Sequence, residues 1–210
     1  GTGDVQPYIY QGSSSGYSTA GHLSGTDYNK IDKFSMVTDG DATNIGNLIL
    51  ARHAPTGVSS KLHGYTCGGS VASSPQTDTV DRFSFTSDGD AVDHCDLSTF
   101  RSYQTQPGSS SDTHGYTAGG YQGAGGTQQS IIDKFNFSSA SDATNIGDLT
   151  YADGSGYGFT SETHGYSAFR TDLDKYSHAS DGNATSVGQL STTGLQTRAG
   201  SGTSSTTHGY

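Results

Sequence analysis

The chain repeats itself, and that limits its folds more than any other feature. Thr-His-Gly-Tyr stands at residues 113–116, 163–166 and 207–210; Leu62-His63-Gly64-Tyr65 differs only in its first residue, and Gly16-Tyr17 is a worn fifth copy. Tyr17, Tyr65, Tyr116, Tyr166 and Tyr210 follow one another at intervals of 48, 51, 50 and 44 residues. A second block recurs between them as Ile31-Asp32-Lys33-Phe34, Val80-Asp81-Arg82-Phe83, Ile132-Asp133-Lys134-Phe135 and Leu173-Asp174-Lys175-Tyr176. A third follows it, as in Asp41-Ala42-Thr43-Asn44-Ile45-Gly46, with counterparts at Asp90, Asp142 and Asn183. Blocks that keep one order mark a module that buries its surface against copies of itself.

Each module reads as strands. Phe34, Phe83 and Phe135 fall on one face of a period-two alternation, and Ser-Asp-Gly-Asp at 87–90 is hairpin-turn chemistry. The third unit is predicted to hold strand a over 109–112, b over 113–120, c over 131–137 and d over 143–149. Helical periodicity is missing throughout. With 31 Gly, 13 Tyr, no Trp and 14% charged residues, the composition suits short strands and tight turns. A hydrophobic content of 30% is low enough to suggest disorder, but the regular spacing argues against it.

A small four-stranded sheet cannot bury an aromatic face alone, and sheets packed around an axis solve the problem. A Tyr followed by Gly68-Gly69 or Gly119-Gly120, a strand ending in an aromatic, and a strand leading to Arg52 or Arg101 together resemble the kelch repeat. The resemblance implies an all-β, kelch-like β-propeller in one domain over 1–210. Its four full four-stranded blades would span about 13–55, 56–107, 108–156 and 157–199, with terminal strands at 1–12 and 200–210. The kelch Trp of strand d is missing, and the Gly-Gly doublet becomes Gly21-His22 in the first unit and Phe169-Arg170 in the last. The terminal strands would combine into a composite fifth blade, belong to a longer parent chain, or be completed by a neighbouring subunit.

The residues singled out are repeat-structural: His63, His114, His164 and His208; Tyr65, Tyr116, Tyr166 and Tyr210; Phe34, Phe83, Phe135 and Tyr176. The recurring histidines invite a metal-binding reading. A residue needed by every unit more often serves the scaffold, for instance through a hydrogen bond from one blade to the next, and active sites on symmetric scaffolds normally break the symmetry. No catalytic, cofactor-binding or metal-binding residue is expected. Cys67 and Cys95, on strands b and d, would lie about 9 to 10 Å apart, too far for a disulfide. The Asp39-Gly40-Asp41 and Asp88-Gly89-Asp90 turns lack the further ligands of a calcium loop. Lys33, Arg82, Lys134 and Lys175 are expected to meet acidic turns on neighbouring units. Asn136 and Asn183 match the glycosylation pattern, with Asn136 awkwardly placed inside a strand.

The formal charge of −10 disfavours nucleic acid and anionic membranes, and no apolar run is long enough to cross a bilayer as a helix. The unit is also similar to Ser-, Thr- and Gly-rich kelch-like arrays of bacteriophage structural and tail-fibre proteins. That resemblance implies a non-catalytic structural or adhesion module on a virion or extracellular appendage. Its partners would be copies of itself, other structural subunits or a surface glycan. The alternatives are a galactose-oxidase-like copper enzyme and an intracellular kelch interaction scaffold. Specificity is expected in the b–c stretches, Ser70 to Thr79 and Tyr121 to Gln129.

Overall fold

The computed structural model describes residues 14–72, 76–106 and 108–190. These residues are all-β, arranged as four successive antiparallel sheets. The first sheet holds β1 (Ser15–Thr19), β2 (His22–Leu23), β3 (Thr26–Ser35) and β4 (Thr43–Arg52). The second is the meander β5 (Thr56–Ser59), β6 (His63–Cys67), β7 (Thr79–Ser84) and β8 (Val92–Asp96). The third holds β9 (Ser109–Ser110), β10 (His114–Ala118), β11 (Tyr121–Gln122), β12 (Thr127–Asn136) and β13 (Thr144–Asp153). The fourth repeats the meander as β14 (Tyr157–Thr160), β15 (His164–Phe169), β16 (Asp172–Ser177) and β17 (Thr185–Gln189).

The last three sheets carry the predicted a-b-c-d order. The first contains strands b, c and d, and its fourth strand is the short β2; most of the Ser-rich stretch expected to form its strand a lies outside the described residues, as do the terminal strands. Strand c of the third unit begins at Thr127, four residues earlier than expected, because Tyr121 to Gln129 is a β-hairpin and not an open loop.

Each invariant residue type has a mechanical reason. In the b–c pairing, Gly16, Gly64, Gly115 and Gly165 lie opposite Phe34, Phe83, Phe135 and Tyr176. A Cβ on any of these glycines would come within 2.2–2.4 Å of the aromatic ring. The glycine of His-Gly-Tyr is therefore the seat of the strand-c aromatic. The tyrosine beside it reaches into the next unit: Tyr65 meets Phe135 and Phe137 at ring distances of 5.4 and 5.0 Å, and Tyr17 meets Phe83 and Phe85 at 5.4 and 4.8 Å. Tyr116 stacks on His178 at 4.7 Å and lies 6.0 Å from Tyr176. Phe83, Phe135 and Tyr176 are buried, while Phe34 is 43% exposed; among the described residues no tyrosine of a preceding unit reaches it.

The Asp of the second block closes the same joints. Asp81 accepts the Ile49 amide of the preceding unit, Asp133 the amide and hydroxyl of Ser98, and Asp174 the amide and hydroxyl of Thr150. Arg52 pairs with Asp81 at 2.9 Å and Arg101 with Asp133 at 2.6 Å, all four side chains fully buried. Arg101 also donates to the Gly119 and Ile131 carbonyls, so the segment after strand d of one unit is tied to the end of strand b and to strand c of the next. The third block adds a clasp. Asp90 accepts from the Asn47 amide while the Ala91 amide donates to the Asn47 carbonyl, and Asp142-Ala143 grip Asp96 in the same way. Ala91, Ala143 and Ala184 are accordingly buried.

Candidate functional site

The repeat histidines do not form a metal centre among the described residues. His63, His114 and His164 open strand b, where the backbone of each closes a Ser-x-x-His turn with Ser60, Ser111 and Ser161. The His114 and His164 rings bond the adjacent Thr113 and Thr163 hydroxyls, and His114 also contacts Asn136 of its own unit. Their bonds are thus local, where hydrogen bonds from blade to blade were expected; the tyrosines carry the link between units. Burial first, and then nearby Arg82, Lys134 and Lys175, hold these three imidazoles below the usual histidine range. His208 and Tyr210 lie outside the described residues. Tyr166 is half-buried on strand b of the fourth unit.

Lys33 pairs with Asp88 and Lys134 with Asp181, each on the turn of the following unit. Arg82 has no such pair among the described residues, because Ala140 stands where Asp88 and Asp181 stand in those turns. Cys67 and Cys95 are free and buried, separated by Val80 across two strand pairings. Burial pushes the Cys95 thiol up to about 12. Asn136 uses its side-chain oxygen to accept from Ser138 and Ser139, and Asn183 accepts the Asp148 amide, so both are engaged in turns and joints.

The feature that breaks the symmetry lies on the b–c side of the first three units. A shallow cleft of about 390 Å³ runs from His53 past Ser70 and Gln76 to Tyr103 and Tyr121. Both b–c stretches marked out in the sequence converge there, joined by two reciprocal bonds: Gln76 accepts the Gly123 amide and donates to the Gly123 carbonyl. Tyr103 and Tyr121 meet edge to face at 6.1 Å. Tyr103 is 38% exposed and holds φ at 55°, a left-handed conformation unusual for a bulky residue. Its amide donates to the Ala54 carbonyl and its carbonyl accepts from Ser155, so three connecting segments fix it.

At one end of the cleft three side chains converge. The β2–β3 hairpin turns through Ser24 and Gly25, both at positive φ, and places His22 opposite Asp27. Tyr28 lies opposite Arg52 in the β3–β4 pairing, which brings His53 beside Asp27 from the other flank. The Asp27 Oδ1 sits 2.7 Å from His22 Nδ1 and 2.8 Å from His53 Nδ1. Its carboxyl is 6% exposed, against 45% for His22 and 30% for His53. Burial raises the Asp27 pKa, but hydrogen bonds from His22 and His53 outweigh it and hold the group below the usual carboxylate range. These are the only three His, Cys, Asp or Glu residues among those described whose ligand atoms converge, all within 4.8 Å of one another. The triad was not singled out from the sequence. Aligning Gly21-His22 with the glycine doublet hid it: the strand register matches Ala20-Gly21 to Gly119-Gly120, so the second glycine is kept and His22 stands where Tyr121 does in the third unit.

No protein-family model matches the chain, and no curated protein is significantly similar to it. Its function is therefore argued from these residues.

Proposed function

We propose that the chain is a non-catalytic adhesion module, a kelch-like β-propeller that binds neutral carbohydrate in the cleft between its first three units. The single observation that carries this reading is the pair Tyr103 and Tyr121, the first exposed on a backbone tied at both its amide and its carbonyl, the second half-buried against it, beside Ser70 and Gln76. Aromatic faces stack on the C–H faces of a sugar, and nearby amides and hydroxyls answer its hydroxyls at little cost in side-chain entropy. The scaffold around them serves only to join unit to unit, as a propeller requires.

Display on a virion or extracellular appendage agrees with the resemblance to phage structural arrays and with a surface poor in Lys. Copies of the same chain or other structural subunits are the proposed assembly partners. The test is a glycan array probed with the full chain and with Tyr103→Ala. The reading expects one neutral glycan class bound by the parent chain, with at least tenfold weaker binding by the variant. An array without binders, or a variant that binds as well as the parent, overturns it.

A further inference from the structure

From the convergence of His22, Asp27 and His53 we infer a site for one borderline first-row divalent cation, zinc foremost, at the end of the cleft. This inference does not rest on the carbohydrate reading. Three observations support it. First, each ligand comes from a separate strand or strand end: His22 and Asp27 are direct partners in the β2–β3 pairing, and His53 follows Arg52, the partner of Tyr28, so the backbone sets the spacing. Second, the site departs from the repeat. Tyr121 and Gln128 of the third unit form the hairpin pair that His22 and Asp27 form in the first, and Ser102 follows Arg101 as His53 follows Arg52. A scaffold that needed only its joints would repeat here. Third, His22 lies in an exposed two-residue strand outside the apolar clusters, and its ring packs on that of His53, the other proposed imidazole ligand.

The donor set selects the metal. Two imidazole nitrogens and one carboxylate oxygen suit zinc and its neighbours, whereas calcium and magnesium require more oxygen ligands. Ligand atoms sharing a tetrahedral zinc at about 2.0–2.1 Å are about 3.3 Å apart. The two Oδ1–Nδ1 separations of 2.7 and 2.8 Å therefore open by about half an ångström, which the exposed His22 and half-exposed His53 rings accommodate. In the metal-free site the two Nδ1 atoms hydrogen-bond Asp27; on binding, each imidazole gives up that contact, carries its proton on Nε2 and turns its Nδ1 lone pair to the cation, while the Asp27 carboxylate offsets part of the cation's charge. Water or a ligand oxygen completes the shell.

The test uses the full, tag-free chain, stripped with chelator and titrated with zinc chloride at pH 7.5 by calorimetry, and with cobalt(II) followed by its visible absorption. One equivalent is expected to bind with a cobalt spectrum of nitrogen and oxygen ligands. His22→Asn and Asp27→Asn each weaken binding at least tenfold, and His164→Asn leaves it unchanged. Circular dichroism establishes that the variants are folded, and His22→Asn, on the exposed hairpin, keeps the test alive if Asp27→Asn is not. The inference is overturned by no saturable binding to the parent chain, by unchanged affinity in folded His22→Asn, or by an equal loss in His164→Asn. Glycan binding measured separately in excess chelator keeps this outcome distinct from that of the cleft.

Discussion

At the scale of single residues, the fold is most sensitive where a substitution would leave a buried charge unpaired. Arg101 is wholly enclosed and spends its guanidinium on Asp133, the Thr117 hydroxyl and two backbone carbonyls. Burial lowers its pKa while Asp133 opposes that shift. Arg101→Ala leaves Asp133 buried and without its cation, and is expected to destabilise the fold by about 3–5 kcal/mol in urea melts. The double variant Arg101→Met, Asp133→Asn is expected to recover part of that loss, since it leaves no unpaired buried charge and the Asn carbonyl still accepts from Ser98. A double variant no more stable than Arg101→Ala refutes the ion-pair account. Gly115 makes a second case. Its hypothetical Cβ would lie 2.4 Å from Phe135 and 2.7 Å from Val58, so Gly115→Ala has to displace a buried ring. A cost of about 1–3 kcal/mol is expected, visible as a lower midpoint of chemical unfolding; a neutral substitution would mean that the ring is not seated as described.

At the scale of elements, the departures from the repeat turn out to be paired. The third unit has Asp153 at the end of strand d, where the earlier units carry Arg52 and Arg101, and the fourth has Arg170 where Gly69 and Gly120 stand. Arg170 Nε donates to Asp153 Oδ2 at 2.6 Å, so this joint keeps an ion pair but draws its base from the position of the second glycine, while Asp174, the counterpart of Asp81 and Asp133, bonds Thr150. Arg170→Asp sets two carboxylates against each other and is expected to lower stability by about 1–2 kcal/mol, since one partner is partly exposed. Asp153→Arg combined with Arg170→Asp is expected to restore part of it in thermal melts, whereas additive losses would show that the pair is uncoupled. Phe169-Arg170 read as simple decay from one sequence because the compensating Asp153 lies 17 residues away. The strand order, the face of the aromatics and the separation of the cysteines were legible, since period-two alternation and strand spacing fix them. The bulge on each strand d was not. It lifts His94 and Ile146 toward the next unit, where His94 meets the Asn136 carbonyl at 2.8 Å, yet no residue type marks it. The triad was hidden for a similar reason: His22 and Asp27 are near in sequence, but His53 arrives only through the register of a third strand.

At the scale of the whole molecule, the joints carry histidines as well as ion pairs, and this sets how the fold answers to acid. His63, His94, His114, His164 and His178 all titrate below the usual range, each chiefly because burial disfavours the cation. His178 is held at about 4, stacked on Tyr116 between the third and fourth sheets. The unfolded chain protonates near pH 6.5 while the folded chain still resists, so protons favour unfolding throughout that window. Stability is therefore expected to be full above about pH 6.5 and to fall as the pH drops toward 4, with His178 alone contributing on the order of 3 kcal/mol. Asp27 works in the same direction only at lower pH, where its depressed pKa makes protonation costly to the fold. Asp81 and Asp96, raised by burial, act the other way and soften the fall as they take up protons in the folded state first. Urea unfolding measured from pH 8 to pH 4 should show the slope, and His178→Phe, which keeps the stack on Tyr116, should flatten it without a large loss at pH 8. A slope unchanged in that variant would place the acid sensitivity elsewhere. A flattened slope would show that the contact between neighbouring units is itself a proton-sensitive joint, and that acid opens the array there first.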